Sequence, residues 1–204
     1  MTSRPFIDLH RKLRALDSTR VRIESLADDG EVGEHDVRRM YEGLFLNAVA
    51  SFEAFLEEVF VSILVRNKAS TPLDGKINPK IGVLSHSVAR EILIGPGRPY
   101  TEWLPYIRTL EKAEIFLTGG RPFSTLPDQL KGQLTRCQLI RNAIAHQSRA
   151  SKTRFETGVI AGLPLPPRER TPAGYLRSNH SLSPPLTRFE FLFTQMGLSA
   201  QMLT

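Results

Sequence analysis

Arg141, Asn142 and His146 stand close together in the run Leu139-Ile140-Arg141-Asn142-Ala143-Ile144-Ala145-His146. A guanidinium suits the charge on phosphoryl oxygens, and an imidazole exchanges protons near neutral pH. A side-chain amide adds hydrogen-bond donors and an acceptor. Together they are parts for acid–base chemistry at a phosphate. On a helix, Asn142 and His146 are spaced i and i+4 and share a face, with Arg149 three residues further on. Arg141 falls instead within the apolar stripe of Leu134, Cys137 and Ile144, roughly 140° from His146 around the axis. An arginine there either snorkels to an edge or meets a carboxylate from another helix. Arg141 and His146 serve one site if the arginine reaches around, or if a second subunit completes it. Taken alone, His146 also reads as an ordinary histidine facing a helix C-terminus.

The elements that must position these residues read as helices. Residues 5–28 carry Phe6, Leu9, Leu13, Leu16, Ile23 and Leu26 near helical spacing, with Ser3 as N-cap and Pro5 in the first turn. Residues 34–68 give the strongest period, from Val37, Met40 and Tyr41 to Val59, Phe60 and Ile63, a helix about 50 Å long that forms the spine of a bundle. Residues 69–100 are broken by Pro and Gly, with one short helix expected at 87–93. A third main helix is expected from Thr101, which would cap it, to the Gly119-Gly120 stop. A fourth, opening near Ser124–Asp128 and running to about Ser148, carries the Arg141 motif. Residues 163–185 hold six prolines and read as an extended excursion, and 186–203 as a last helix. A short strand at 155–160 is the one β candidate. The expected fold is all-α: a four-helix core over about 5–150, a Pro-rich excursion over 151–185 and a C-terminal helix, in one domain.

Composition bounds the rest. The chain has 204 residues, 41% hydrophobic and 24% charged, so it can bury a core without disulfides or structural metals. Its net charge of +6 is unevenly placed. Residues 1–118 hold 16 basic and 17 acidic side chains, and residues 119–204 hold 11 and 4. Such asymmetry points either to a polyanion partner or to a solvated face that aids solubility. The lone cysteine, Cys137, reads as a core residue. With no apolar leader over residues 1–8 and no run long enough to span a bilayer, a cytoplasmic protein without membrane association is expected. His10, His35, His86 and His180 lack ligand spacing, so no metal or cofactor is expected. Gly95-Pro96-Gly97 is a turn rather than a phosphate loop. Tyr100, Trp103 and Tyr106 read as packing residues first and as base-stacking residues second.

Arg-Asn-x-x-x-His near the end of a bundle's fourth helix resembles the signature of the HEPN superfamily. Ala50-Ser51-Phe52-Glu53-Ala54-Phe55-Leu56 resembles a second-helix segment of bacterial HEPN-like nucleases of the RiboL-PSP-HEPN kind. The resemblance covers about residues 35–150 and is specific at about ten positions. It implies metal-independent RNA cleavage at a composite site across a two-fold homodimer. His146 would then exchange protons with the 2′-OH or the leaving 5′-oxygen. Arg141 would stabilise phosphoryl charge, and Asn142 would orient His146 or bond the phosphate. Glu53 would pair with Arg141, a role Glu57 could share. Arg136, Arg149, Lys152 and Arg154 would track the RNA backbone. The setting implied is a toxin–antitoxin or phage-defence effector, with an antitoxin or a nucleotidyltransferase as a partner. The competing expectation is a non-catalytic module that binds RNA or protein and dimerises.

Overall fold

The computed structural model describes residues 3–65, 85–95, 97, 99–146 and 148–204. Two long antiparallel helices open the fold. In α1 (Arg4–Asp28) the Ser3 hydroxyl accepts from the Phe6 backbone N–H, and Pro5 lies in the first turn. Its buried face is Leu9, Leu13, Arg20 and Ile23. The spine, α2 (Glu34–Val65), is buried on most of its circumference, including Tyr41, Phe45, Phe52 and Phe60. Each such aromatic ring removed from water stabilises the fold by about 2–3 kcal/mol. The expected continuation of α2 to residue 68, and the interrupted stretch 69–84, lie outside the described residues.

α3 (His86–Ile94) is capped by Ser85 and packs on α2. Arg90 pins it there by reaching Glu57 at 3.1 Å and Glu58 at 2.7 Å. The third main helix does not start at Thr101. α4 (Ile107–Phe116) starts six residues later, because Leu104 precedes Pro105 and a pre-proline residue is pushed out of the helical region. Trp103 and Leu104 instead lie in non-helical chain, both buried in the core. Two 3₁₀ turns, Thr118–Gly120 and Phe123–Thr125, lead on to α5 (Asp128–Ala145). Phe60 at the centre meets Trp103, Phe116 and Phe123, with ring centroids 5.0–6.3 Å away.

α5 starts at Asp128, within the expected range, but ends earlier than expected. It stops at Ala145, His146 takes extended angles, and the Ser148 hydroxyl caps a separate helix, α6 (Arg149–Phe155). The strand expected at 155–160 is a π-helical turn, Glu156–Ile160, that carries α6 onward. A Cβ on Gly158 would stand 2.6 Å from Cδ1 of Leu139 of α5, so this turn packs closely on α5.

The Pro-rich region is not an extended excursion. It contains a 3₁₀ turn (Pro167–Glu169), α7 (Pro172–Arg177) and a hairpin of β1 (Asn179–Leu182) and β2 (Pro185–Thr187). Pro172 lies in the first turn of a helix whose N-cap is Thr171, where a missing N–H costs nothing. Tyr175 and Leu176 are buried. Gly174 lies under the Arg168 carbonyl, which would stand 2.1 Å from a Cβ. A capping box between Thr187 and Glu190 then starts α8 (Arg188–Met202), which packs on α1, α2 and α5. One buried cluster runs from Leu9 to Leu203, so the tail belongs to the core. The fold is all-α with a single two-stranded hairpin among the described residues. None of the described helices is long and apolar enough to cross a membrane.

Candidate active site

A cavity of about 380 Å³ opens between α2, the non-helical segment at 100–104 and the end of α5. From α2 it takes Val49, Glu53, Ala54 and Glu57, spaced along one helical face. From α5 it takes Gln138, Arg141 and Asn142, and His146 follows just past the helix end. Tyr100, Glu102 and Trp103 form the third wall. One chain therefore brings Arg141, Asn142, His146 and Glu53 to a single cavity. The obstacle expected from ideal geometry, roughly 140° between Arg141 and His146, is met in two ways. The arginine side chain is half-buried and lines the cavity, and His146 is no longer helical (φ −121°, ψ 96°). Its backbone N–H still closes the helix on the Asn142 carbonyl at 2.9 Å.

The Arg141 guanidinium donates to the Asn142 side-chain oxygen at 2.9 Å. It does not close an ion pair with Glu53, although its charge is felt there. Burial holds the Glu53 carboxyl above the ordinary carboxylate range, and Glu102 adds to that push. Arg141 and the Leu104 backbone N–H pull the other way. Glu57, the other acid considered for Arg141, is committed elsewhere. It accepts from Arg90 at 3.1 Å and from the Trp103 indole N–H at 3.4 Å.

The remaining expected residues are dispersed. Arg149, Lys152 and Arg154 lie exposed on α6 and do not line the cavity. Arg136 does not line it either, and its charge acts on Tyr175 and His180 instead. Trp103 and Tyr106 are core residues, the latter donating from its hydroxyl to the Phe123 carbonyl at 3.0 Å. Tyr100 is 68% exposed at the cavity rim. Cys137 is fully buried and its thiol is pushed up to about 12, which leaves it without nucleophilic character. Gln138 is a cavity residue that the sequence reading passed over. It stands four residues before Asn142, so the same helical spacing that linked Asn142 to His146 points to it. Glu102 and Thr101 carried no such signal, because they lie on non-helical chain.

Among the described residues, no group of three or more His, Cys, Asp or Glu side chains is placed to hold a metal ion. What the cavity offers is a guanidinium, two amides, an imidazole and three carboxyls, of which Glu53 has raised proton affinity and Glu57 is paired with Arg90. That set can bind an anion and move protons beside it. Comparison with protein-family models, with curated proteins and with solved structures gave no match to this chain.

Proposed function

We propose that the protein is an endoribonuclease of the HEPN type that cleaves RNA through its own 2′-hydroxyl. The observation that carries this reading is the convergence of Arg141, Asn142 and His146 on one cavity, with the proton-favouring Glu53 beside them. RNA supplies the nucleophile, so the protein must position, accept a proton and stabilise charge. The 2′-oxygen attacks phosphorus as the bond from phosphorus to the 5′-oxygen breaks. His146 takes the 2′-OH proton or supplies the proton that the 5′-oxygen needs. The two transfers call for two such groups, which the His146 side chains of a two-fold dimer would furnish. Arg141 and the Asn142 amide face the phosphoryl oxygens, where donors aimed at developing charge are most effective. Glu53 is a positioning residue, its charge held close to Arg141. Glu57 on the same wall is already paired with Arg90, which offsets its repulsion of a phosphate. The biological setting proposed is a toxin or phage-defence effector in the cytoplasm, with an antitoxin or nucleotidyltransferase as its partner.

The test is incubation of the purified protein with RNA in EDTA. Cleavage by the unaltered chain and its loss in His146→Ala are expected. RNA bound but left intact by both would favour the non-catalytic binding module instead.

A further inference from the structure

Seven arginines among the described residues are buried or half-buried. A guanidinium taken partly out of water is costly unless it meets an opposite charge. Four of the seven do so: Arg20 with Asp17 and Glu190, Arg38 with Glu34, Arg90 with Glu57 and Glu58, and Arg177 with Glu24 and Glu34. Three do not. Arg141 is one, and it lines the candidate active site. The other two, Arg136 and Arg188, lie together at a different place.

Their common neighbour is Tyr175 of α7. The Arg188 guanidinium lies over its ring, 4.9 Å from the centroid, and donates to the Ser178 hydroxyl. Arg136, from α5, faces the Tyr175 hydroxyl. His180, on β1, completes the cluster. Its ring is stacked on Phe191 of α8 at 3.8 Å and 14°, so its position is fixed while its edge stays exposed. Burial, then Arg188 and Arg136, hold the His180 imidazole below its ordinary proton affinity. Three elements thus converge two uncompensated guanidinium groups and an imidazole, with a phenol hydroxyl beside them. No carboxylate pairs with either arginine among the described residues. Neither arginine nor His180 lines the cavity at Arg141.

We propose that Arg136, Arg188 and His180 form a second anion site, which takes a phosphodiester group of an RNA strand. A phosphate would meet two forked donors, the arrangement in which arginine binds phosphate best. The choice of RNA as the source of the phosphate rests on the ribonuclease reading of the Arg141 cavity; the anion site itself does not. A bound phosphate reverses the field at His180, so its proton affinity rises and binding strengthens as pH falls. Arg188 from α8 and Arg136 from α5 are the charged groups that set that field.

The experiment uses the full chain and a ten-nucleotide RNA that is 2′-O-methylated throughout, so that binding is measured without cleavage. Arg136→Gln/Arg188→Gln should weaken binding about tenfold or more. It should also lower the dependence of log affinity on log salt by about one per phosphate lost. In the unaltered protein, the NMR titration midpoint of His180 should move up when the RNA is added, a readout that does not depend on any variant folding. Unchanged affinity and salt slope in the double variant, or a His180 midpoint that saturating RNA does not move, would overturn the proposal. So would a midpoint that moves with inorganic phosphate but not with RNA. If the methylated strand binds through the cluster while unmodified RNA stays intact, the anion site stands and the ribonuclease reading fails.

Discussion

The Arg141 guanidinium donates from Nη1 to Oδ1 of its neighbour Asn142 at 2.9 Å. That bond takes one of the two lone pairs of the amide oxygen and turns that oxygen toward the guanidinium, so both Nδ2 donors point elsewhere. Two adjacent residues of α5 are thereby locked as one donor unit at the cavity wall. A phosphate entering beside them meets donors whose orientation is already set, which reduces the reorganisation needed on binding.

Replacing the amide by a carboxylate tests that unit. Asn142→Asp would tie Arg141 into an adjacent ion pair and place a negative charge where a phosphate must sit. Cleavage should fall by about 100-fold or more, while thermal unfolding stays close to that of the unaltered chain. A single-turnover assay and a melting curve measure the two effects.

Glu53 should trade stability against activity. Its proton affinity is raised in the folded protein by burial, followed in the same direction by Glu102. As pH rises, the unfolded chain releases this proton first, so ionised Glu53 costs stability at neutral pH, and the cost vanishes below the ordinary carboxylate range. Glu53→Gln removes it and keeps an oxygen for the Leu104 N–H. The variant should be more stable at pH 7 by about 1 kcal/mol, with the gain fading towards pH 4. Cleavage should drop by about tenfold or more, because Arg141 loses the charge that steadies it. Denaturant unfolding at the two pH values supplies the comparison.

Arg177 ties the C-terminal region to the first two helices, reaching Glu24 at 2.8 Å and Glu34 at 2.6 Å. Burial alone would raise Glu24, but hydrogen bonds from Arg177 and Tyr41 override it and hold its carboxyl below the ordinary range. In Glu34 the hydrogen bond from Arg177 is the main cause of the lowering. Stability from these groups is present above the ordinary carboxylate range and is lost as pH falls through their lowered values. Arg177→Ala should cost about 2 kcal/mol at pH 7, and the deficit should shrink near pH 3. An undiminished deficit at pH 3 would assign the loss to packing instead.

Gly174 reports on how tightly the Pro-rich region is folded. The Arg168 carbonyl would stand 2.1 Å from a Cβ, and backbone cannot swing aside as a side chain can. Gly174→Ala should cost about 2 kcal/mol or more and raise proteolysis within 163–187. If neither changes, the region is not packed as described.

What could be read from the sequence was whatever a helical period or a cap encodes. Val37 to Ile63 marked the spine, and Ser3 and Pro5 marked the start of α1, because amphipathic spacing and capping are local. The late start of α4 depended on Leu104 preceding a proline, a constraint that Thr101 as an attractive cap obscured. The Pro-rich stretch misled for the opposite reason. Pro172 starts a helix as readily as it ends one, and only the burial of Tyr175 and Leu176 against distant helices decides which. At the site, Arg141, Asn142 and His146 were visible as a motif, and Gln138 shared their spacing. Tyr100 and Glu102 join them through tertiary placement of a non-helical segment, and Arg136 does not join them. No period records either fact.

The central claim is cleavage by the Arg141 and His146 cavity through the 2′-hydroxyl. The most direct measurement is end-group analysis of RNA incubated with the purified chain in EDTA, beside His146→Ala at the same concentration. Fragments ending in a 2′,3′-cyclic phosphate and a 5′-hydroxyl, formed by the unaltered chain and at least about 100-fold slower by His146→Ala, are the predicted result. Intact RNA with the unaltered chain, or the same fragments at the same rate from His146→Ala, would contradict it.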